Sequence, residues 1–298
     1  MNAKYLTPAI TVFDQNGSLD LTSQGALYEN LIKNGIDGIL VNGSIGEFFS
    51  MTFRQRQQLA EFAVQFIDHR TKCIVGTSDM IIENVVPFSN HMLSFGADAV
   101  MVIGPYYFPL KNNEVFSYFD RLFDQINGPV YLYNFPDRTG YNIEPETILA
   151  LRRRHPNFSG IKDTLTGMDH TREVIKAVKG EFPDFEVYSG FDDNAVHNVL
   201  SGGNGIIGGL SNIVPEICTA WIRAAREDNL EEICRGQQTI NRLFDIYFVA
   251  GQFIPVIKEA AKMRGIIADS TCIFPMPAVT EQQRQKIADI LRREGIEV

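Results

Sequence analysis

Residues 34–38 read Asn34-Gly35-Ile36-Asp37-Gly38, and residues 95–99 read Phe95-Gly96-Ala97-Asp98-Ala99. In both, glycine stands just after a helical stretch, at the C′ position where the backbone needs φ > 0, and an apolar run follows at once. Ser201-Gly202-Gly203-Asn204-Gly205 is a looser third copy. Outward from these joins, short apolar or β-branched runs fall at Leu6–Phe13, Gly38–Val41, Cys73–Gly76, Ala99–Ile103, Val130–Tyr133, Gly160–Lys162, Glu186–Ser189 and Gly205–Ile207. Amphipathic segments lie between them, such as Arg54–His69 with Leu59, Phe62, Ala63 and Phe66 on one face.

Alternation of this kind predicts parallel strands buried by crossover helices. Eight units fit an α/β fold of the TIM (β/α)8 barrel type, whose active site lies at the carboxyl ends of the strands. A doubly wound open sheet is the structural alternative. No G-x-G-x-x-G follows the first run, which weakens its dinucleotide-binding version. After Asn212 the pattern turns wholly helical, roughly Pro215–Glu227, Leu230–Tyr247, Phe253–Arg264 and Glu281–Arg293. We therefore expect a barrel over residues 1–212 and a C-terminal helical region, 213–298, packed on it.

The formal charge of −9 argues against a nucleic-acid or anionic-membrane surface, since neither attracts an acidic protein. No run of about 18 apolar residues occurs, and Met1-Asn2-Ala3-Lys4-Tyr5 leads into no signal-like apolar segment. Cys73, Cys218, Cys234 and Cys272 stand far apart without a C-x-x-C pair, and are expected as buried or half-buried free thiols. A cytoplasmic protein is expected. Its five histidines form neither H-x-H nor H-E-x-x-H, so no catalytic metal site is expected.

Chemistry in such a barrel must come from strand ends, and three are unusual. Phe158-Ser159-Gly160-Ile161-Lys162-Asp163-Thr164 ends a short strand on a lysine. Burial and nearby cations lower a lysine's pKa and free its amine as a nucleophile; the bland alternative is a solvated strand-end lysine. Val130-Tyr131-Leu132-Tyr133 ends 29 residues before Lys162, one strand–helix unit, so Tyr133 and Lys162 are expected to face each other. A phenol there can carry protons; otherwise it is a core tyrosine. Asn42-Gly43-Ser44-Ile45-Gly46-Glu47 lets backbone N–H groups converge on a carboxylate, with the Ser44 hydroxyl added.

As a set, G-S-x-G-E (43–47), P-Y-Y (105–107), Y-N-F-P-x-x-T-G (133–140) and G-I-K-D-T (160–164) resemble the dihydrodipicolinate synthase / N-acetylneuraminate lyase family of class I aldolases. The resemblance runs from Thr7-Pro8-Ala9-Ile10-Thr11 to Pro255-Val256-Ile257-Lys258-Glu259. It implies that Lys162 is the Schiff-base lysine and Tyr133 the acid/base phenol. Ser44 would relay protons between Tyr133 and a Tyr107 contributed by a neighbouring subunit. The N–H groups of Ser44 and Ile45 would hold the carboxylate of a 2-oxo acid such as pyruvate, and Ile207 would offer its carbonyl nearby. No cofactor is implied beyond the covalent imine at Lys162, and the implied assembly is a homotetramer built as a dimer of dimers.

Departures from the family's patterns bear on the substrate. The synthases usually show G-T-T-G-E and K-E-A, whereas Ile45 and Lys162-Asp163-Thr164 stand here. Thr164 and Gly190-Phe191-Asp192-Asp193 look like the sugar-acid lyases, where these positions meet the substrate. Arg138 pulls the other way, because synthases hold the second substrate's carboxylate there. Gly209 lacks the hydroxyl of the neuraminate lyases, which disfavours sialic acid. The expectation is an aldolase joining or releasing pyruvate and an aldehyde from a 2-keto-3-deoxy sugar acid. Its rival is dihydrodipicolinate synthase, condensing pyruvate with aspartate semialdehyde. A non-catalytic sensor would leave Lys162, Tyr133 and Ser44 together without a reason, and a class II aldolase lacks its metal ligands. Lys258, the other lysine in a resembling stretch, is expected on a solvated helix surface.

Overall fold

Eight strands close into a barrel in chain order in the computed structural model, which describes residues 1–298. They are β1 Lys4–Pro8, β2 Gly38–Val41, β3 Lys72–Gly76, β4 Ala99–Ile103, β5 Val130–Asn134, β6 Phe158–Asp163, β7 Glu186–Ser189 and β8 Gly205–Ile207. β4 is buried at every position, so its sequence is continuously apolar rather than alternating. The joins have the expected backbone: Gly35 at φ 79°, Gly96 at φ 112° and Gly202 at φ 92° are all left-handed.

The chain divides into two compact units. Met1, Tyr5–Cys73 and Gly208–Val298 form the first, and Asn2–Lys4 with Ile74–Ile207 form the second. The division runs through the barrel strands, and the helices beyond residue 213 belong to the unit that holds β2.

In the first unit, β1 is shorter than its apolar run. The strand ends at Pro8, the Ala9 N–H still donates to the Leu40 carbonyl of β2, and beyond it side chains take over. Asn212 Oδ1 accepts from the Ile10 N–H, and Gln24 Oε1 accepts from that of Val12. An apolar run therefore overstates the strand, because Ile10–Val12 are buried outside the barrel ladder and Phe13 makes only an isolated antiparallel bridge with Leu19. The helix Phe53–Ile67 opens on a Thr52/Gln55 capping box and buries Leu59, Ala60 and Ala63. Phe62 and Phe66 edge this face, with ring centroids 6.3 Å and 6.1 Å from Tyr28. The C-terminal helices are Pro215–Arg226, Leu230–Leu243, Phe253–Met263 and Glu281–Arg293. The expected single helix to Tyr247 instead tightens to 3₁₀ over Phe244–Phe248.

In the second unit, β5 and β6 pair in parallel with Tyr133 opposite Lys162 and Asn134 opposite Asp163. All four cysteines are free; Cys234 is exposed, against the expectation of buried or half-buried thiols, because it lies on the outer side of the helix Leu230–Leu243. No single helix is long and apolar enough to cross a membrane.

Candidate active site

Residues in register on adjacent parallel strands point the same way, so the pairing of β5 with β6 brings Tyr133 and Lys162 together. Lys162 is 5% exposed, and its Nζ lies 4.6 Å from the centre of the Tyr133 ring. It forms no ion pair. Burial pushes its ammonium down to about 7, against the opposing pull of the Asp192 carboxylate. At neutral pH a large share of this amine is therefore unprotonated and nucleophilic. The bland alternative of a solvated lysine does not describe this side chain.

The surroundings of the pair are polar at chosen points. Phe135 stacks beside Tyr133 with ring centroids 5.7 Å apart. Asp192 is buried in a short 3₁₀ turn after β7. Burial, and then the charge of Asp192, raises the pKa of the neighbouring Asp193. The Thr164 N–H donates to the Asn134 carbonyl, while its Oγ1 is buried with no partner in the chain. Gly190 makes room for that hydroxyl: a Cβ there would sit 1.9 Å from Thr164 Oγ1. Ile207 ends β8 and is fully buried.

Two expected residues are exposed. Arg138 is exposed in the turn Pro136–Thr139, its guanidinium 5.2 Å over the Phe135 ring and donating to the Asp137 carbonyl at 3.3 Å. It braces no carboxylate, so its charge is available. Tyr107 is 78% exposed and meets Phe108 edge-on, ring centroids 4.9 Å apart.

Ser44 and Ile45 belong to the first unit, in the turn after β2. Gly46 and Glu47 donate their N–H groups back to the carbonyls of Gly43 and Ser44, which leaves those of Ser44 and Ile45 outside the two bonds. Asn42 at φ 56° and Glu47 at φ 59° flank the turn in the left-handed region, a conformation that costs a non-glycine residue about 1–2 kcal/mol. The Asn42 side chain donates to the Arg56 carbonyl and helps hold it. Ile45 packs toward Gly209, where the Tyr247 hydroxyl fills the space of a side chain: a Cβ on Gly209 would lie 2.5 Å from it and 3.0 Å from Ile45 Cδ1.

Lys258 overturns an expectation. It is fully buried, its Nζ 2.5 Å from Glu47 Oε1, 2.7 Å from the Thr271 carbonyl and 4.5 Å from the centre of the Phe13 ring. The other Glu47 oxygen accepts from the Ile273 N–H. This ion pair ties the Gly43–Glu47 turn to the C-terminal helices, and the sequence alone does not reveal it. The burial of Lys258 has a signal: Ile254 and Ala261, on the same face of the helix as Lys258, are apolar and buried. The partner, 211 residues away (47 to 258), carried none.

A parallel barrel with a buried lysine amine, in no ion pair, beside a tyrosine has the groups of a nucleophilic enzyme, and the family and relatives it matches make it a carbon–carbon lyase. The chain belongs to the dihydrodipicolinate synthetase family, which it matches over residues 1–294. It is 32% identical to the probable 2-dehydro-3-deoxy-D-pentonate aldolase YjhH of Escherichia coli, covering 98% of this chain and 97% of that one. It is 27% identical to a 4-hydroxy-tetrahydrodipicolinate synthase of Hydrogenobaculum, covering 98% of both. Among solved structures it resembles YagE of E. coli in complex with pyruvate, with TM-score 0.96, 31% identity and 99% of each chain covered.

Proposed function

We infer that the chain is a class I aldolase which joins pyruvate, through an imine at Lys162, to the aldehyde part of a 2-keto-3-deoxy sugar acid, or releases it. The observation that carries this is the Lys162 amine, buried, without an ion pair, with its pKa near 7 and 4.6 Å from the Tyr133 ring. In the cleavage direction the neutral amine attacks the C2 carbonyl and the carbinolamine loses water to give a protonated imine. Tyr133 carries the protons of these steps. The substrate's C4 hydroxyl gives up its proton, the C3–C4 bond breaks, and its electron pair moves onto C3 as the imine becomes an enamine. The aldehyde leaves, C3 takes a proton, and water hydrolyses the imine to free pyruvate and Lys162. The iminium is the electron sink, so neither metal nor cofactor is called for.

The family resemblance implies the N–H groups of Ser44 and Ile45 for the 2-oxo acid carboxylate and the Ile207 carbonyl near it. The buried, unpartnered Thr164 hydroxyl and the Asp192 carboxylate suit the hydroxyls of a sugar chain. The exposure of Tyr107 suits a residue that completes a neighbouring subunit's relay in a homotetramer. We place the protein in the cytoplasm on its cysteine usage.

A second reading, condensation of pyruvate with aspartate semialdehyde, is favoured by the unpaired Arg138 guanidinium, which can grip a carboxylate. Pyruvate release from a panel of 2-keto-3-deoxy sugar acids, run beside the semialdehyde condensation, separates the two. Release from a five- or six-carbon sugar acid with no condensation supports the first; condensation alone supports the second.

A further inference from the structure

Asn134 and Asp163 follow Tyr133 and Lys162 in the same register. Side chains alternate along a strand, so these two face the helix layer while the reactive pair faces the barrel interior. Asn134 Nδ2 donates to Asp163 Oδ1 at 2.7 Å and to Asn142 Oδ1 at 2.7 Å. The opposite carboxylate oxygen, Asp163 Oδ2, accepts from Thr171 Oγ1 at 2.6 Å and lies 2.9 Å from His170 Nδ1. His170 Nε2 lies 2.9 Å from the Ile143 carbonyl oxygen. Both ring nitrogens thus face acceptors. A neutral imidazole has one N–H and would set a lone pair against one of them, whereas an imidazolium donates to both.

We propose that His170 is a standing imidazolium that locks Asp163 to the helix Asp169–Lys179 and to the Ile143 carbonyl, and so fixes the strand ends carrying Tyr133 and Lys162. It is a positioning residue, and this rests on reading Tyr133 and Lys162 as the catalytic pair. The charges around the ring favour the cation. Asp163 faces it from β6 and Glu144 from the start of the helix Pro145–Arg154, while Asp169 and Glu173 on its own helix are paired with Arg172 and Lys176. Burial disfavours the charged ring, but the bond to Asp163, that carboxylate's charge, the Ile143 carbonyl and Glu144 outweigh it, and the pKa stands above the ordinary histidine value. The bracket is therefore whole below the ordinary histidine pKa of about 6.5 and is lost as pH rises through the raised value. Lys162 needs the reverse, deprotonation, so the two groups set opposite limbs of activity.

The test uses the full chain labelled with 15N histidine, the His170 signals being assigned by their loss in His170→Gln. Both ring nitrogens of His170 should show imidazolium shifts at pH 7.5, where an ordinary imidazole is neutral; a neutral tautomer there overturns the proposal. In His170→Gln, kcat should fall about 10–100-fold, the cost of a small misplacement of reacting groups. KM should change less than about threefold, and the alkaline limb of the kcat profile should move. Unchanged kcat and profile would overturn the positioning role. If His170→Gln does not fold, Thr171→Val removes one bond from the same oxygen; it assigns the ring by its shift change and is judged by the same kinetics. Borohydride trapping of pyruvate on wild type separates this from the catalytic reading: no adduct there faults that reading, while the His170 signals are read regardless.

Discussion

Lys258 Nζ sits 2.5 Å from Glu47 Oε1 with both side chains fully buried, whereas Lys162, almost as deeply buried, has no ion-pair partner. The two lysines thus divide their roles by environment. The Lys258 ammonium is held by a carboxylate and a carbonyl, while the Lys162 ammonium has only the more distant pull of Asp192 against its desolvation. One is tied into an ion pair, and the other is left as a buried amine.

Breaking the Glu47–Lys258 pair from one side leaves a buried charge without its partner. Lys258→Met is expected to cost about 3–5 kcal/mol of stability, read from denaturant midpoints. The Glu47→Gln, Lys258→Met double variant should recover part of that loss. If both variants matched wild type, the pair would not be what holds the turn after β2.

Imine formation should follow the Lys162 amine. Its apparent rate should drop about tenfold per pH unit below a midpoint near 7, because the ammonium has no lone pair to attack with. The same shift acts on stability. Between about 7 and the unfolded value of 10.5 the unfolded chain binds the extra proton, so this group's contribution makes stability rise with pH across that window. Lys162→Met should abolish activity and raise stability at pH 7 by roughly 2–5 kcal/mol, since burying the unpaired amine is costly. A less stable Lys162→Met protein would show that the lysine is held by contacts other than those described.

Tyr133→Phe keeps the ring beside Lys162 and removes the proton carrier. Turnover should fall about 10²–10⁴-fold, the range for one general acid/base, with thermal unfolding unchanged. An active variant would return Tyr133 to a packing role.

Arg138→Ala tests the second substrate. For an aldehyde that carries a carboxylate, its binding should weaken about 10–100-fold, as expected on losing a charge-assisted bidentate contact. For an uncharged aldehyde it should hardly change, and pyruvate binding should stay the same in both cases. Equal losses for both aldehydes would mean that Arg138 acts through its packing on Phe135.

Much of this was legible in the sequence. The Asn-Gly-Ile-Asp-Gly type of join fixed where helices end, because glycine alone meets the left-handed requirement at Gly35 and Gly96 cheaply. The interval from Tyr133 to Lys162 correctly predicted their pairing across β5 and β6. Less legible was anything set by distant partners. The run Leu6–Phe13 cannot reveal that Asn212 and Gln24 take over its amides beyond Ala9. Lys258 looked like a surface residue because a helix face that buries a lysine looks, in one dimension, like one that solvates it. The Asp163 bracket is not legible in one dimension because Asn134 and Asp163 lie on the outer side of β5 and β6 and their partners come from the helix layer.

Borohydride reduction in the presence of pyruvate tests the central chemistry most directly, because it turns a transient imine into a stable secondary amine. We expect one pyruvate-derived adduct per chain, mapping to the peptide that contains Lys162 and absent from Lys162→Met. An adduct on Lys258, or none on the wild-type protein, would contradict it.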